Sequence, residues 1–132
     1  CFGGMGSYAA RAMGAVGAVL SGPVNDVHEV TELGFPVYSR GTAAHTTRLL
    51  GLEGGINVPV SIGGAVISPG DIVFADSDGL AVIPSGSAAD LAAVLAEKEA
   101  VEPEQKRRID AGERLSDLSG ARALFDRAAG GE

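Results

Sequence analysis

Residues 57–84, NVPVSIGGAVISPGDIVFADSDGLAVIP, constrain the fold of this chain more than any other segment. They contain four short runs rich in Val, Ile and Phe, which suit a pleated, half-buried surface. Gly, Pro and Asp residues separate the runs, and Pro69-Gly70 and Asp78-Gly79 have the backbone preferences of tight turns. The segment therefore predicts short, paired β-strands joined by turns.

Helical and strand-like patterns alternate before this block. The sequence predicts a helix from about Gly4 to Met13, a buried parallel strand over residues 15–20, a helix over VHEVTEL with Asp26 as its N-cap, and a strand over residues 35–39. Residues 40–56 lack periodicity and are predicted to form a loop. The order helix, strand, helix, strand favours crossover connections on a mostly parallel sheet, and hence an α/β fold.

A long helix is predicted after the block. Ser87 and Asp90 have the spacing of a capping box, and Pro103 is expected to kink the helix or to start a new one. Apolar residues at positions 91, 94, 95 and 101 fall on one face of this helix. The tail, roughly residues 116–132, contains a candidate short helix, ALFDRA.

Composition limits the classes of function. The 132 residues, 45% of them hydrophobic, predict a single domain over residues 1–132 with an ordinary core. A formal charge of -7 argues against a nucleic-acid partner. No apolar run approaches the roughly 20 residues that span a bilayer, so no membrane association is expected. A single cysteine fits a reducing compartment, and the sequence predicts a cytoplasmic protein.

Two stretches of the chain resemble one known family. They are CFGGMGSYAARAMGAVGAVLSGPVNDVHEVTELGFPVYSRG and the block of residues 57–84 with its trailing acidic helix. Both are similar to the family of the regulator of ribonuclease activity A, which includes the 4-hydroxy-4-methyl-2-oxoglutarate aldolases. The resemblance covers nearly the whole chain and matches the C-terminal portion of the family domain. It leads us to expect a family N-terminal portion that would precede Cys1.

The resemblance implies a fold, an assembly and a chemistry. The fold would be a β-barrel-like sheet core flanked by helices, with the C-terminal helix packing on a neighbouring subunit of a homotrimer or hexamer. A separate N-terminal fragment is a further candidate partner. A divalent metal, magnesium or manganese, would sit in a cleft between subunits and polarise a small 2-oxo acid. Carbon–carbon cleavage of the aldolase or decarboxylase type leaves an enolate, which a metal and nearby donors stabilise.

The resemblance also assigns site residues. Asp26 stands at the position of the metal-binding aspartate, and a carboxylate with retained waters suits magnesium. The alternative is that Asp26 only caps the following helix. The loop Gly3-Gly4-Met5-Gly6 precedes a helix, so its amides are predicted to bind the substrate carboxylate; the alternative is a tight turn for close packing.

The chain departs from the family pattern at three positions. Asn25 replaces an arginine that holds the substrate, so we predict a weaker, uncharged donor toward the enolate oxygen. Gly4 stands where the aldolases place an acidic residue beside the metal waters, and Ser21 replaces an aspartate. Standard aldolase activity depends on these groups, so the resemblance leaves a divergent lyase as the leading hypothesis.

Other residues are weaker candidates. His28 is a candidate catalytic residue at the mouth of the same site, although a surface role is the commoner one for a lone histidine. Arg48, in the loop with His45, is a possible substitute for the missing positive charge. The resemblance implies that one acid of the long helix reaches the site of a neighbouring subunit. The candidates are Glu97, Glu99 and Glu102. Three further acids are predicted to be turn residues that bond the local backbone, namely Asp71, Asp76 and Asp78.

Cys1 supports a further hypothesis. Within a longer chain it would be a packing thiol, whereas at a processed N-terminus its thiol would lie beside an α-amino group that can act as a base. Three functions follow: a divergent metal-dependent lyase, a non-catalytic oligomeric interaction or regulatory module, and a repurposed biosynthetic enzyme that uses Cys1 or His28.

Overall fold

Helices and short strands alternate along the first part of the chain. The computed structural model describes residues 2–48 and 50–130. The first elements are α1 (Gly4–Ala12), β1 (Ala18–Val19), α2 (Val27–Leu33) and β2 (Val37–Tyr38). This order and these positions confirm the pattern predicted from the sequence, including the stop of α2 at Gly34, whose φ of 66° is the left-handed conformation that glycine tolerates. Arg11 joins the two helices, because its Nη1 donates to the carbonyl oxygen of Leu33 at 2.5 Å.

The strands β1 and β2 are parallel, as predicted. Ala18 lies opposite Val37 and Val19 lies opposite Tyr38. The parallel arrangement continues beyond the two strands, because Val24 forms parallel bridges with Phe2 on one side and with Thr42 on the other. Both residues of β1 are half-buried, so the prediction of a fully buried strand is wrong.

The block of residues 57–84 forms two strand pairs, which confirms its predicted structure. Strands β3 (Val60–Ile62) and β4 (Ala65–Ile67) are antiparallel, and strands β5 (Ile72–Asp76) and β6 (Gly79–Ile83) form the second pair. Gly63 and Gly64 join β3 to β4 with φ values of 62° and 88°, a turn in which both central residues need positive φ. Together with the helices, these small sheets give the mixed α/β fold that the sequence predicted.

The chain divides into two compact units, Cys1–Val82 and Ile83–Glu132. After a 3-10 turn (Ser85–Ser87), the second unit consists of α3 (Ala88–Asp110), α4 (Leu115–Leu118) and α5 (Ala121–Ala129). Helix α3 continues through Pro103, so this proline does not start a new helix. Ser87 is the residue before α3, but its side chain makes no capping hydrogen bond, and the predicted capping box is wrong.

The buried apolar core is small. Among the described residues it consists of Val24, Val30 and Phe35 in the first unit. The prediction of an ordinary core is therefore wrong for this structure, because the two-stranded sheets leave much of their apolar surface uncovered; Phe74, for example, is 61% exposed. Within the described residues, no helix is long and apolar enough to cross a membrane.

Candidate functional site

Three parallel segments end at one place in the first unit. Val24 pairs with Phe2 and with Thr42, and the amide of Asn25 donates to the carbonyl oxygen of Phe2 at 3.0 Å. Gly3 follows Phe2, and Asn25 and Asp26 follow Val24. Ligand sites of α/β proteins lie beyond the carboxyl ends of parallel strands. The pairing therefore brings two of the predicted site segments to one edge.

Asp26 turns its side chain away from the helix that it precedes. Its backbone is left-handed, with φ of 54° and ψ of 42°, and its carboxylate makes no capping bond to α2. Oδ2 instead accepts hydrogen bonds from the amide of Gly4 at 3.1 Å and from Nδ2 of Asn25 at 2.7 Å. Asp26 thus stands at the predicted N-cap position of α2, but its side chain does not cap the helix. Oδ1 makes no hydrogen bond to any residue that the structure describes.

The glycines before α1 allow this close approach. A Cβ built on Gly3 would overlap Nδ2 of Asn25 and would lie 2.5 Å from Oδ2 of Asp26. A Cβ built on Gly4 would overlap the carboxylate of Glu29, whose farther oxygen is 2.7 Å away. Close packing against the buried Asn25 therefore favours glycine at position 3, in agreement with the prediction, whereas at position 4 the overlap is with the flexible end of Glu29.

The first turn of α1 leaves amides without helical partners. Ser7 is the first residue whose amide donates within the helix, to the carbonyl oxygen of Gly3 at 2.9 Å. The amide of Gly4 is used by Asp26, whereas those of Met5 and Gly6 belong to the unsatisfied group at a helix start. Such amides, with the positive end of the helix dipole, attract anions.

A cavity of about 270 Å³ lies at this edge. Most of its wall comes from segments predicted to form the site, and it is lined by Phe2, Gly3, Met5, Gly6, Asn25, Asp26, Thr46 and Thr47. Among the described residues, Asp26 is the one charged side chain in this wall, and no Lys, Arg or His of that part of the chain lines it. The residues of this wall thus carry a carboxylate, backbone amides and hydroxyl groups, which are hard oxygen and nitrogen groups.

One predicted catalytic residue, His28, is not brought to this cavity. The His28 side chain is 90% exposed, and its Nε2 lies 3.4 Å from Oε1 of Glu32 on the surface of α2. Cys1 lies outside the described residues. The histidine position follows from its place on α2, because two residues along a helix turn a side chain away from the direction of Asp26.

The other candidates also lie elsewhere. His45 and Arg48 are exposed and line, with Leu50, a neighbouring hollow that shares Thr46 and Thr47 with the cavity. Arg48 is not among the residues that line the cavity itself. The acids of α3 belong to the second unit, where Glu102 pairs with Lys106 at 3.2 Å. Asp71 accepts a hydrogen bond from the amide of Ser68, and Asp76 accepts one from the amide of Asp78, both at 2.8 Å. Asp71 and Asp76 therefore bond the local backbone, as predicted.

The sequence pattern did not indicate three residues near the cavity. Thr46 and Thr47 line it from the segment predicted to be a loop, and Glu29 reaches the first turn of α1 from α2. The sequence could have indicated Glu29, because residues three positions apart lie on the same side of a helix and Glu29 follows Asp26 by three. The threonines had none, since their approach depends on the bridge between Val24 and Thr42.

The family sequence model RraA-like (Aldolase/RraA) matches residues 1–82. A protein of Halalkalibacterium halodurans named "Putative 4-hydroxy-4-methyl-2-oxoglutarate aldolase" is 36% identical over 100 residues, which are 76% of this chain and 47% of that protein. A protein of Deinococcus radiodurans with the same name is 42% identical over 72 residues, covering 54% of this chain and 44% of that protein. The chain thus spans about half the length of these curated relatives.

Solved structures share the fold. An uncharacterised protein of Pseudomonas syringae pv. tomato matches 92% of this chain and 57% of its own, with a TM-score of 0.73 and 27% identity. Streptomyces coelicolor RraAS2, described as an unusual member of the RNase ES inhibitor RraA protein family, matches 82% of this chain and 55% of its own, with a TM-score of 0.72 and 32% identity.

Proposed function

The chain belongs to the RraA-like family, and on that premise we propose that it carries the metal-binding part of a carbon–carbon lyase site. The reaction would be of the aldolase or decarboxylase type, on a small 2-oxo or related carboxylic acid. The observation that carries the proposal is the cavity whose described wall contains Asp26 and residues of the first turn of α1 but no basic side chain. An anionic substrate beside Asp26 needs a cation to offset the repulsion between two negative charges.

The residues present fit a hard divalent cation. Oδ2 of Asp26 accepts two hydrogen bonds, which would leave Oδ1 for the ion, and Thr46, a residue with a hydroxyl oxygen, also lines the cavity. Magnesium prefers oxygen ligands and retains several waters, so a single carboxylate can hold it. In keeping with such a hydrated ion, the described residues contain no group of three or more His, Cys, Asp or Glu suited to hold a metal directly.

Substrate binding is assigned to the first turn of α1. The amides of Met5 and Gly6 would donate to the substrate carboxylate, and the helix dipole would favour its negative charge. Gly3 and Gly4 keep the backbone close to Asn25 and Asp26, as their steric surroundings require. The bound metal would polarise the 2-oxo group and stabilise the negative charge that cleavage leaves.

Asn25 has a role that differs from that of an arginine. Asn25 is buried, and its side-chain nitrogen Nδ2 donates one hydrogen bond to Asp26. The same nitrogen carries a second hydrogen. The first hydrogen would orient the carboxylate, and the second would be available to the substrate. An uncharged donor supplies less stabilisation than a guanidinium, so the rate is expected to be below that of a lyase with the arginine.

Asp26→Asn tests the proposal. The amide oxygen of the variant can still accept from Gly4, so folding should be retained while the charge for the metal is lost. We expect kcat/KM for a pyruvate aldol adduct or oxaloacetate, with magnesium or manganese, to fall on the order of 100-fold or more. Asp90→Asn, on the exposed first turn of α3, is the matched control. Equal activity in Asp26→Asn, or no cleavage of either compound by the unmodified protein, would contradict the proposal.

A non-catalytic interaction module is the second candidate. The absence of basic side chains from the described wall of the cavity favours it, and so does the likeness to Streptomyces coelicolor RraAS2. Titration with magnesium separates the two functions, because an interaction module has no need for a metal at Asp26. Binding that Asp26→Asn abolishes would support the lyase.

A further inference from the structure

The cavity at the start of α1 has apolar side chains and hydroxyl groups in its wall. A Cβ built on Gly6 would lie 3.1 Å from Cε2 and 3.2 Å from Cδ2 of Phe2, so the Phe2 ring lies against this glycine. Phe2 and Met5 are the large apolar residues of the described wall, and Thr46 and Thr47 are its hydroxyl-bearing residues. Beyond the amides of the first turn, a bound molecule is therefore surrounded mainly by uncharged side chains.

The charges around the cavity balance one substrate carboxylate. A divalent cation offsets the charge of Asp26 and that of one carboxylate on the substrate. The described wall contains no Lys, Arg or His that could offset a second carboxylate. The carboxylate of Glu29 adds a negative charge nearby, because it would overlap a Cβ on Gly4. A second carboxylate would thus be repelled and would lack a cationic partner.

We propose, building on the lyase function above, that the site takes a 2-oxo acid with one carboxylate and an uncharged remainder. The carboxylate would bind the amides of Met5 and Gly6, and the remainder would lie against the Phe2 ring. Such a substrate is the aldol adduct of pyruvate with a neutral aldehyde. In its cleavage, the C4 hydroxyl gives its proton to water and the electron pair of the C3–C4 bond forms the pyruvate enolate. Protonation of the enolate at C3 gives pyruvate, and the aldehyde is the other product.

The competing explanation is hydrophobicity alone. An apolar group binds many cavities better than a carboxylate does, whatever charges surround them. In that case, a positive charge added beside the cavity would not act selectively on the ligand with two carboxylates. A pair of ligands and a pair of lysine variants therefore distinguish the two explanations.

Binding of two 2-oxo acids that lack the aldol hydroxyl is the first test, because neither is cleaved. They are 2-oxoglutarate and 5-methyl-2-oxohexanoate, in which an isopropyl group of similar shape replaces the second carboxylate. In calorimetric titrations with MgCl2 present, we expect the isopropyl compound to bind at least about 10-fold more tightly, because the second carboxylate is repelled. The pyruvate adducts of 2-methylpropanal and of glyoxylate should differ in kcat/KM in the same direction.

Met5→Lys and Met13→Lys place the same charge at two positions. Met5 lines the cavity and is 77% exposed, whereas Met13 is 88% exposed and does not line it, so both sites can accept lysine without repacking. We expect Met5→Lys to strengthen the binding of 2-oxoglutarate about 3-fold, as an exposed ion pair does, and to leave 5-methyl-2-oxohexanoate nearly unchanged. Met13→Lys is the matched control and should bind both compounds as the unmodified protein does.

Two results overturn the substrate class alone, provided that magnesium binding still depends on Asp26. One is equal or tighter binding of 2-oxoglutarate by the unmodified protein. The other is a Met5→Lys variant that binds 2-oxoglutarate no better than Met13→Lys does. A folded protein that binds neither magnesium nor either 2-oxo acid overturns the proposed function as well.

Discussion

The backbone at Asp26 determines the direction of its carboxylate. Among the described residues, Asp26 and Asn57 are the non-glycine residues with positive φ. The left-handed conformation is unfavourable for most residues, but Asp and Asn adopt it more readily than others. At Asp26 the conformation turns the side chain toward α1, where the hydrogen bonds from Gly4 and Asn25 hold it. The metal ligand of the proposed site is thus oriented by one unusual residue.

Gly3→Ala should disrupt this orientation. The added Cβ would overlap Nδ2 of Asn25 and approach Oδ2 of Asp26, and Asn25 is buried and cannot move freely. Overpacking of this kind costs about 1–3 kcal/mol. We expect a lower free energy of unfolding in denaturant titrations and weaker magnesium binding.

Gly22→Ala is the control for this substitution. A Cβ at Gly22 would meet no atom within 4 Å, so the same added methyl group fits there without displacing a neighbour. If Gly3→Ala were as stable as Gly22→Ala and bound magnesium equally well, the close packing around Gly3 would not matter to the site.

At the scale of elements, an ion pair joins the end of α3 to the residues that follow it. Arg108 donates to Glu113 through Nε at 2.9 Å and through Nη2 at 2.6 Å. The hydrogen bond from Arg108 lowers the pKa of Glu113 below its usual value of 4.5, and the same partner raises the pKa of Arg108. Both groups are exposed, so solvent screening makes the contribution small.

The lowered pKa of Glu113 gives a pH dependence with a definite sign. The contribution of the pair to stability is present above pH 4.5, the usual carboxyl pKa, and is lost as the pH falls through the lower pKa of the folded state. We therefore expect Glu113→Gln to lower the melting temperature slightly at pH 7, with the difference from the unmodified protein disappearing toward pH 3. Circular dichroism melts across this range measure it. A difference that grew on acidification would contradict the assignment.

Sequence patterns were reliable for the presence and order of elements and less so for side-chain partners. The pattern VHEVTEL matches the bounds of α2, because apolar spacing and Gly34 are local signals. Asp26 and Ser87 occupy the N-cap positions that the sequence predicts, but neither side chain makes a capping bond, because such a bond depends on the backbone angles of the N-cap residue, which the residue type alone does not fix.

At the scale of the whole molecule, the two units should respond differently to magnesium. The proposed ligands lie in Cys1–Val82, and a ligand suppresses only those opening motions that release it. In hydrogen exchange, we expect added magnesium to slow the amides of residues 3–6 and 25–29 and to leave α3 to α5 unchanged. Asp26→Asn should remove the effect. Slowing that is equal in both units, or confined to the second, would place the metal elsewhere.

Several predictions about the whole molecule remain predictions. They are the single domain over residues 1–132, the trimer or hexamer, the packing of the C-terminal helix on a neighbouring subunit, and the cytoplasmic location. The structure of a single chain tests none of them. The membership of the RraA-like family, by contrast, rests on the match over residues 1–82.

The sequence by itself determined the strand pairs of residues 57–84, the alternation of helices and strands before them, and the family. These features follow from signals within a few residues, namely apolar period, turn chemistry and helix stops. Only the tertiary structure decided that Asp26 bonds α1 and not α2, that Glu29 replaces a side chain at position 4, and that Thr46 joins the cavity. These contacts join segments about 20 residues apart through the parallel bridges of Val24, and no local pattern encodes such a distance.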